Sequence, residues 1–364
     1  MEALPGTIEK WQETGVYHNL ALPMPGLDFC SNDYLGMAAH EEVRSGLRAY
    51  LEEGGPIGAP SSRLLRGHTE IHESCESFLA EAFGFESALL FSSGYLANLG
   101  VLGALAGEDT EFFSDALNHA SLVDGMHGSK RAIFRHGDTG HLESLLTTSN
   151  ALRKVIVTES LFSMDGDFAP LAEIAALARK HGSWLIVDEA HATGLYGGGR
   201  GLLEGVDTEG LPLISVHTGG KALGAMGAFV LSSRMVREFL VNRARSFIFT
   251  TALSPLIAKQ LEISARIVFA SPERRGACLA HALELRSALS LPLYPSPIVP
   301  ISIPGNARVL AAAAKLQERG FDVRAIRAPT VAPGTERLRV CVKSFHQPED
   351  IARLATNIEE VIHD

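Results

Sequence analysis

The chain has 364 residues, 46% of them hydrophobic and 20% charged. That length suits one large domain with a smaller one, and at this size roughly three-quarters of the unfolded chain's surface can be buried, so no covalent or metal staples are needed. A mean hydropathy of +0.11 excludes disorder, and 32 basic against 42 acidic residues, a net charge of −10, argues against a nucleic-acid groove or an anionic membrane surface.

The first residues, MEALPGTIEKW, offer neither a basic n-region nor an apolar h-region, so no signal peptide is expected. No apolar stretch approaches the roughly 20 residues of a spanning helix. Cys30, Cys75, Cys278 and Cys341 form no CxxC pair and no disulfide framework. They read as reduced thiols, and the expected location is the cytoplasm. Residues 1–40 are expected to be an N-terminal segment, 41–270 a large α/β domain and 271–364 a small C-terminal α+β domain.

In the large domain, short apolar runs alternate with amphipathic stretches. The runs at 88–92, 111–114, 131–135, 155–158, 184–188, 213–217 and 228–231 predict buried strands. Between two of them, PLAEIAALARKH (170–181) places Leu171, Ile174, Ala175 and Ala178 on one stripe, starts with Pro and stops at Gly182, which predicts a helix. Strand, helix and strand in series imply a mostly parallel sheet with helices on both faces. Beyond residue 250 the pattern predicts helices over 255–269 and 273–289, a strand region at 291–304, a helix at 307–319, strands at 321–326 and 337–342, and a closing helix over 348–362.

Ligands of open α/β sheets bind beyond the carboxyl ends of the strands. Those ends carry Ser93-Gly94-Tyr95, Asp115 to His119, Glu159 with Ser163, Asp188 to His191, and His217 to Lys221. Lys221 sits among Gly and Ala residues, where partial desolvation makes an amine a Schiff-base nucleophile. Asp188 ends the apolar run WLIVD, and a carboxylate there calls for a cation. A protonated pyridine nitrogen at ~4 Å would supply about 4 kcal/mol at an effective dielectric near 20. His191 could reach the same ring's substituents, and His119 could lie on its face. Ser93, Gly94 and Tyr95 open a helix whose N–H groups and dipole favour a phosphate, and Thr218 could add a hydroxyl. An imine lysine, a pyridinium acid, a ring-stacking histidine and a phosphate cradle together describe pyridoxal 5′-phosphate (PLP). The pair His68 and His72 has zinc-gripping i, i+4 spacing but no HExxH pattern, and no metal is expected.

The segments SNDYLG (31–36), SSGYLAN (92–98), LNHASLVDG (117–125), TESLFSMDGDFAPL (158–171), VDEAHATGLYG (187–197), HTGGKALGAMGAFV (217–230) and IRAPTVAPGTERLRV (326–340) resemble the α-oxoamine synthases along nearly the entire chain. The resemblance implies a fold-type I PLP-dependent transferase, with Lys221 carrying the cofactor, Asp188 on the pyridine nitrogen, and His191 and Ser163 near the ring hydroxyl. It places Thr330 and Arg339 on the substrate side and Thr250 and Thr251 at a partner subunit's phosphate in a homodimer. Arg327, in IRAPT, inclines the resemblance toward the members that condense L-alanine with a pimeloyl thioester in biotin synthesis, the carrier being coenzyme A or a carrier protein. Glycine C-acetyltransferase chemistry and an aminotransferase remain as alternatives. No arginine precedes Arg44, although family members usually carry one near the N-terminus.

Overall fold

Seven strands whose side chains alternate between two apolar layers organise the larger part of the molecule. The computed structural model describes residues 3–14, 16–17, 19–20 and 22–363. The strands of the chain are β1 (Leu27–Asp28), β2 (Ser87–Phe91), β3 (Thr110–Asp115), β4 (Lys130–Phe134), β5 (Arg153–Glu159), β6 (Trp184–Asp188), β7 (Leu213–Thr218), β8 (Ala228–Ser232), β9 (Ile298–Ser302), β10 (Phe321–Asp322), β11 (Arg324–Ile326) and β12 (Arg337–Cys341). The seven predicted runs of the large domain are thus all strands, within one or two residues at each end.

β2 to β8 form one sheet in the order β2-β8-β7-β6-β5-β3-β4. Neighbours are parallel except at β8, which runs antiparallel to β2 and β7. On β5, Val155 and Val157 face one apolar cluster and Ile156 the other; on β6, Ile186 faces the first and Leu185 and Val187 the second. Helix Gly94–Leu105 covers the first face, and helices Thr139–Thr148 and Leu171–Lys180 cover the second. Burial on both faces explains why these strands read as continuous apolar runs. Helix Leu171–Lys180 buries the stripe Leu171, Ile174, Ala175 and Ala178, and Gly182 follows its end at φ 59°.

The chain divides into two compact units: Leu35–Ser163 with Asp167–Arg275, and the residues up to Tyr34 with Met164–Gly166 and Gly276–Asp364. This differs from the expected boundaries at 40 and 270. The physical reason lies in β1, which pairs in parallel with β10, so the N-terminal residues belong to the smaller unit. In that unit β11, β12 and β9 form an antiparallel sheet. Its core joins Phe29 to Val299, Val309, Leu316, Phe321 and Leu354.

Candidate active site

The carboxyl ends of β5, β6 and β7 bring polar groups together in the larger unit. β6 delivers Asp188, which is 7% exposed. Its Oδ1 accepts the Ala190 N–H at 2.9 Å, and its Oδ2 accepts Asn98 Nδ2 at 2.7 Å. Asn98 also donates to Ser121 Oγ at 2.9 Å. Ser121 Oγ lies 2.7 Å from His119 Nδ1, which also accepts the Ser121 N–H. A continuous hydrogen-bonded path therefore runs from Asp188 through Asn98 and Ser121 to His119. Asn98 Oδ1 is buried with no partner among the described residues.

Glu159 ends β5 in register with Asp188, and its Oε1 accepts the His119 N–H at 2.7 Å. Burial above all, with the Asp188 charge beside it, pushes the Glu159 carboxyl up to about 8, and the Lys221 ammonium opposes that rise. Burial lowers the His119 imidazole below its usual range; Lys221 lowers it further while Asp188 opposes. Asp188, Glu159, His119 and Lys221 thus feel one another's charge. Lys221 stands in the turn after β7, closed by a hydrogen bond from Gly224 N to Lys221 O of 2.9 Å. His191 is buried in the loop after β6.

Ser93 caps helix Gly94–Leu105, its Oγ accepting the Leu96 N–H at 3.2 Å. The remaining first-turn N–H groups have no acceptor within the helix. A Cβ at Gly94 would stand 3.5 Å from Thr218 Cβ and Oγ1, so glycine keeps a niche open between that helix start and Thr218. The Thr218 hydroxyl donates to Gly227 O at 3.2 Å and accepts the Gly220 N–H at 3.3 Å. Tyr95 is partly exposed, donates through its hydroxyl to Asp124, and meets the His119 ring edge-on at 6.5 Å. Ser163 is half-buried in the loop after β5, and Thr250 and Thr251 lie past the helix Arg245–Ile248.

The other named residues belong to the smaller unit. Arg339 is buried on β12, with both terminal nitrogens 3.1 Å from Asn32 Oδ1. Arg327 donates to Tyr17 O at 2.6 Å, and Thr330 is exposed. His68 and His72 serve the larger unit's structure: His68 Nδ1 accepts from Arg63 at 3.0 Å, and His72 Nε2 lies 2.7 Å from Leu253 O.

The donor set fits PLP. A buried carboxylate suits a ring cation, the helix start and Thr218 suit a phosphate, and Lys221 suits an imine. The sequence alone assigns no role to Asn98, Ser121 and Glu159. Asn98 is the one amide side chain in the otherwise aliphatic and aromatic helix GYLANLGVLGAL, which was the available signal.

Fold and site define a fold-type I PLP-dependent transferase. The family model for aminotransferase class I and II matches residues 25–358. The 8-amino-7-oxononanoate synthase of Methylococcus capsulatus is 44% identical over 98% of this chain and 93% of its own. A solved lysine-to-alanine variant of serine palmitoyltransferase from S. paucimobilis with a bound PLP–myriocin aldimine superimposes at a TM-score of 0.90, with 28% identity over 99% of this chain and 96% of its own. The 8-amino-7-oxononanoate synthase of Francisella tularensis gives a TM-score of 0.77 at 27% identity, over 93% and 98%. The chain belongs to the class I and II aminotransferase family, on its α-oxoamine synthase branch.

Proposed function

We propose that this chain condenses L-alanine with a pimeloyl thioester, releasing thiol and carbon dioxide, to give 8-amino-7-oxononanoate in biotin synthesis. The observation that carries this is 44% identity to a synthase of that name over 98% of the chain, on a fold whose strand ends supply the residues PLP requires. PLP supplies an electron-withdrawing ring conjugated to the amino acid's nitrogen when bound.

The residues divide the remaining work. Asp188, oriented by Asn98 and the Ala190 N–H, would hold the ring nitrogen. The first turn after Ser93, with Thr218, holds the phosphate. His119, with its Nδ1 met by the Ser121 hydroxyl and N–H and its backbone N–H held by Glu159, presents its imidazole to the ring face. Lys221 Nζ takes the proton from the alanine Cα. Ser163 and His191 orient the ring hydroxyl. Arg339, Arg327 and Thr330 contact substrate, with Arg339 on the amino-acid carboxylate. Thr250 and Thr251 complete a phosphate contact across a homodimer. Four free cysteines support a cytoplasmic location.

The test is a panel of acyl thioesters against alanine, glycine and serine, with the PLP-loaded protein and thiol release as the signal. Pimeloyl with alanine should give the highest kcat/KM and an amino ketone product. A preference for acetyl with glycine would overturn the substrate assignment. A keto acid product would overturn the condensation itself.

A further inference from the structure

A charge cluster that none of the roles above uses lies beside the site. His136 follows β4 and presents both ring nitrogens to carboxylates: Nδ1 stands 2.9 Å from Asp115 Oδ1, and Nε2 stands 2.7 Å from Asp167 Oδ2. Its ring meets Phe162 edge-on, with centroids 4.4 Å apart at 88°. Each carboxylate belongs to a segment with a site residue on it. Asp115 ends β3 and accepts the N–H groups of Leu117 at 2.8 Å and Gly137 at 3.0 Å, so it shapes the turn that leads to His119. Asp167 and Phe162 face each other in the hairpin 161–168, closed by a bridge between Leu161 and Phe168 and by Phe162 N donating to Asp167 O at 3.0 Å. Ser163 follows Phe162 on that hairpin.

We infer that His136 is a positioning residue for the cofactor: by donating from both nitrogens at once, it fixes the hairpin carrying Ser163 against the turn carrying His119. This rests on the reading of the site as a PLP centre. An imidazole can donate twice only as the imidazolium. Its hydrogen bonds to Asp115 and Asp167 hold it in that form, pushing its pKa up to about 10. Those two carboxylates, one from β3 and one from the hairpin, are the charged groups that face it; Phe162 supplies an apolar wall. A glutamine there could reach one carboxylate but would bring no charge. Charge-assisted bonds of this kind are about twice as strong as neutral ones, and the one to Asp167 must break for the hairpin to move alone.

The experiment titrates metal-free, PLP-depleted protein with PLP and follows absorbance. It compares wild type, His136→Ala, His136→Gln, Ser163→Ala and the double variant His136→Ala/Ser163→Ala, with a urea midpoint for each apo-protein. Loss of hydrogen bonds to charged groups should weaken PLP binding about tenfold in His136→Ala, and less in His136→Gln. If His136 acts through Ser163, the double variant binds PLP no more weakly than the worse single variant. Unchanged PLP affinity with only a lower urea midpoint would overturn the inference, and so would additive losses in the double variant. If His136→Ala fails to fold, His136→Gln with Ser163→Ala gives the same comparison. Wild type that binds no PLP would instead overturn the functional reading, which separates the two failures.

Discussion

Asn98 donates its amide to Asp188 at 2.7 Å across ninety positions of chain, and both side chains are buried. The contact orients a carboxylate on the central strand from a helix packed on the sheet's face. A hydrogen bond to a charged group contributes about 1.5–3 kcal/mol, so Asn98→Ala should weaken PLP binding about tenfold or more. Asn98→Asp should be worse, because it sets a second carboxylate against the first. PLP titration of the apo-protein decides it: wild-type affinity in Asn98→Ala would mean that Asp188 is oriented without Asn98.

Lys221→Ala removes both the imine-forming amine and the base. Turnover should fall at least 10²- to 10⁴-fold, the range for a lost general base. Borohydride reduction followed by intact mass measurement gives an independent readout. Wild type should retain the mass of reduced PLP and the variant should not. A label retained on Lys221→Ala would place the covalent link elsewhere.

Glu159 makes the stability of the fold depend on pH. Its carboxyl rises in the fold to about 8 from an ordinary 4.5. The fold therefore favours the protonated form. The stability this confers is complete below the unfolded value and is lost as pH climbs from 4.5 toward 8. Glu159→Gln keeps the acceptor for the His119 N–H and removes the titration. Relative to wild type, the urea midpoint of the variant's apo-protein should rise between about pH 5 and about pH 8. A constant difference across that range would refute the assignment.

Gly224 closes the Lys221 turn at φ 58°, and a Cβ there would lie 2.2 Å from Ala38 N and 2.4 Å from Met37 C. Both obstacles are backbone and cannot swing aside. Gly224→Ala should cost about 1–3 kcal/mol from the left-handed conformation alone. That corresponds to roughly 2–4 °C in Tm per kcal/mol for a large domain. Calorimetry checks it, and a wild-type Tm would show that the turn relaxes without strain.

Most of the architecture was legible because both faces of the central sheet are covered. Val155 and Val157 on one side and Ile156 on the other make β5 an unbroken apolar run, which needs no partner to be recognised. The same holds for WLIVD, whose final Asp188 stood out as a charge at the end of an apolar strand. The contacts that orient those residues were not legible, since each joins positions far apart in the chain. Asn98 reaches Asp188, and His136 spans from Asp115 to Asp167, only after the strands have paired. The pairing of β1 was illegible for the same reason, because two residues at Leu27–Asp28 carry too little periodicity to announce a partner near position 321.

That pairing bears on how the polypeptide is made. β1 leaves the ribosome early, yet the strand it lies against, Phe321–Asp322, is translated almost three hundred residues later. The larger unit, continuous from Leu35 to Arg275 apart from a three-residue excursion, is complete before that partner exists. Its coenzyme cradle can therefore close while the leading segment still waits, unpaired, for the tail of its own chain.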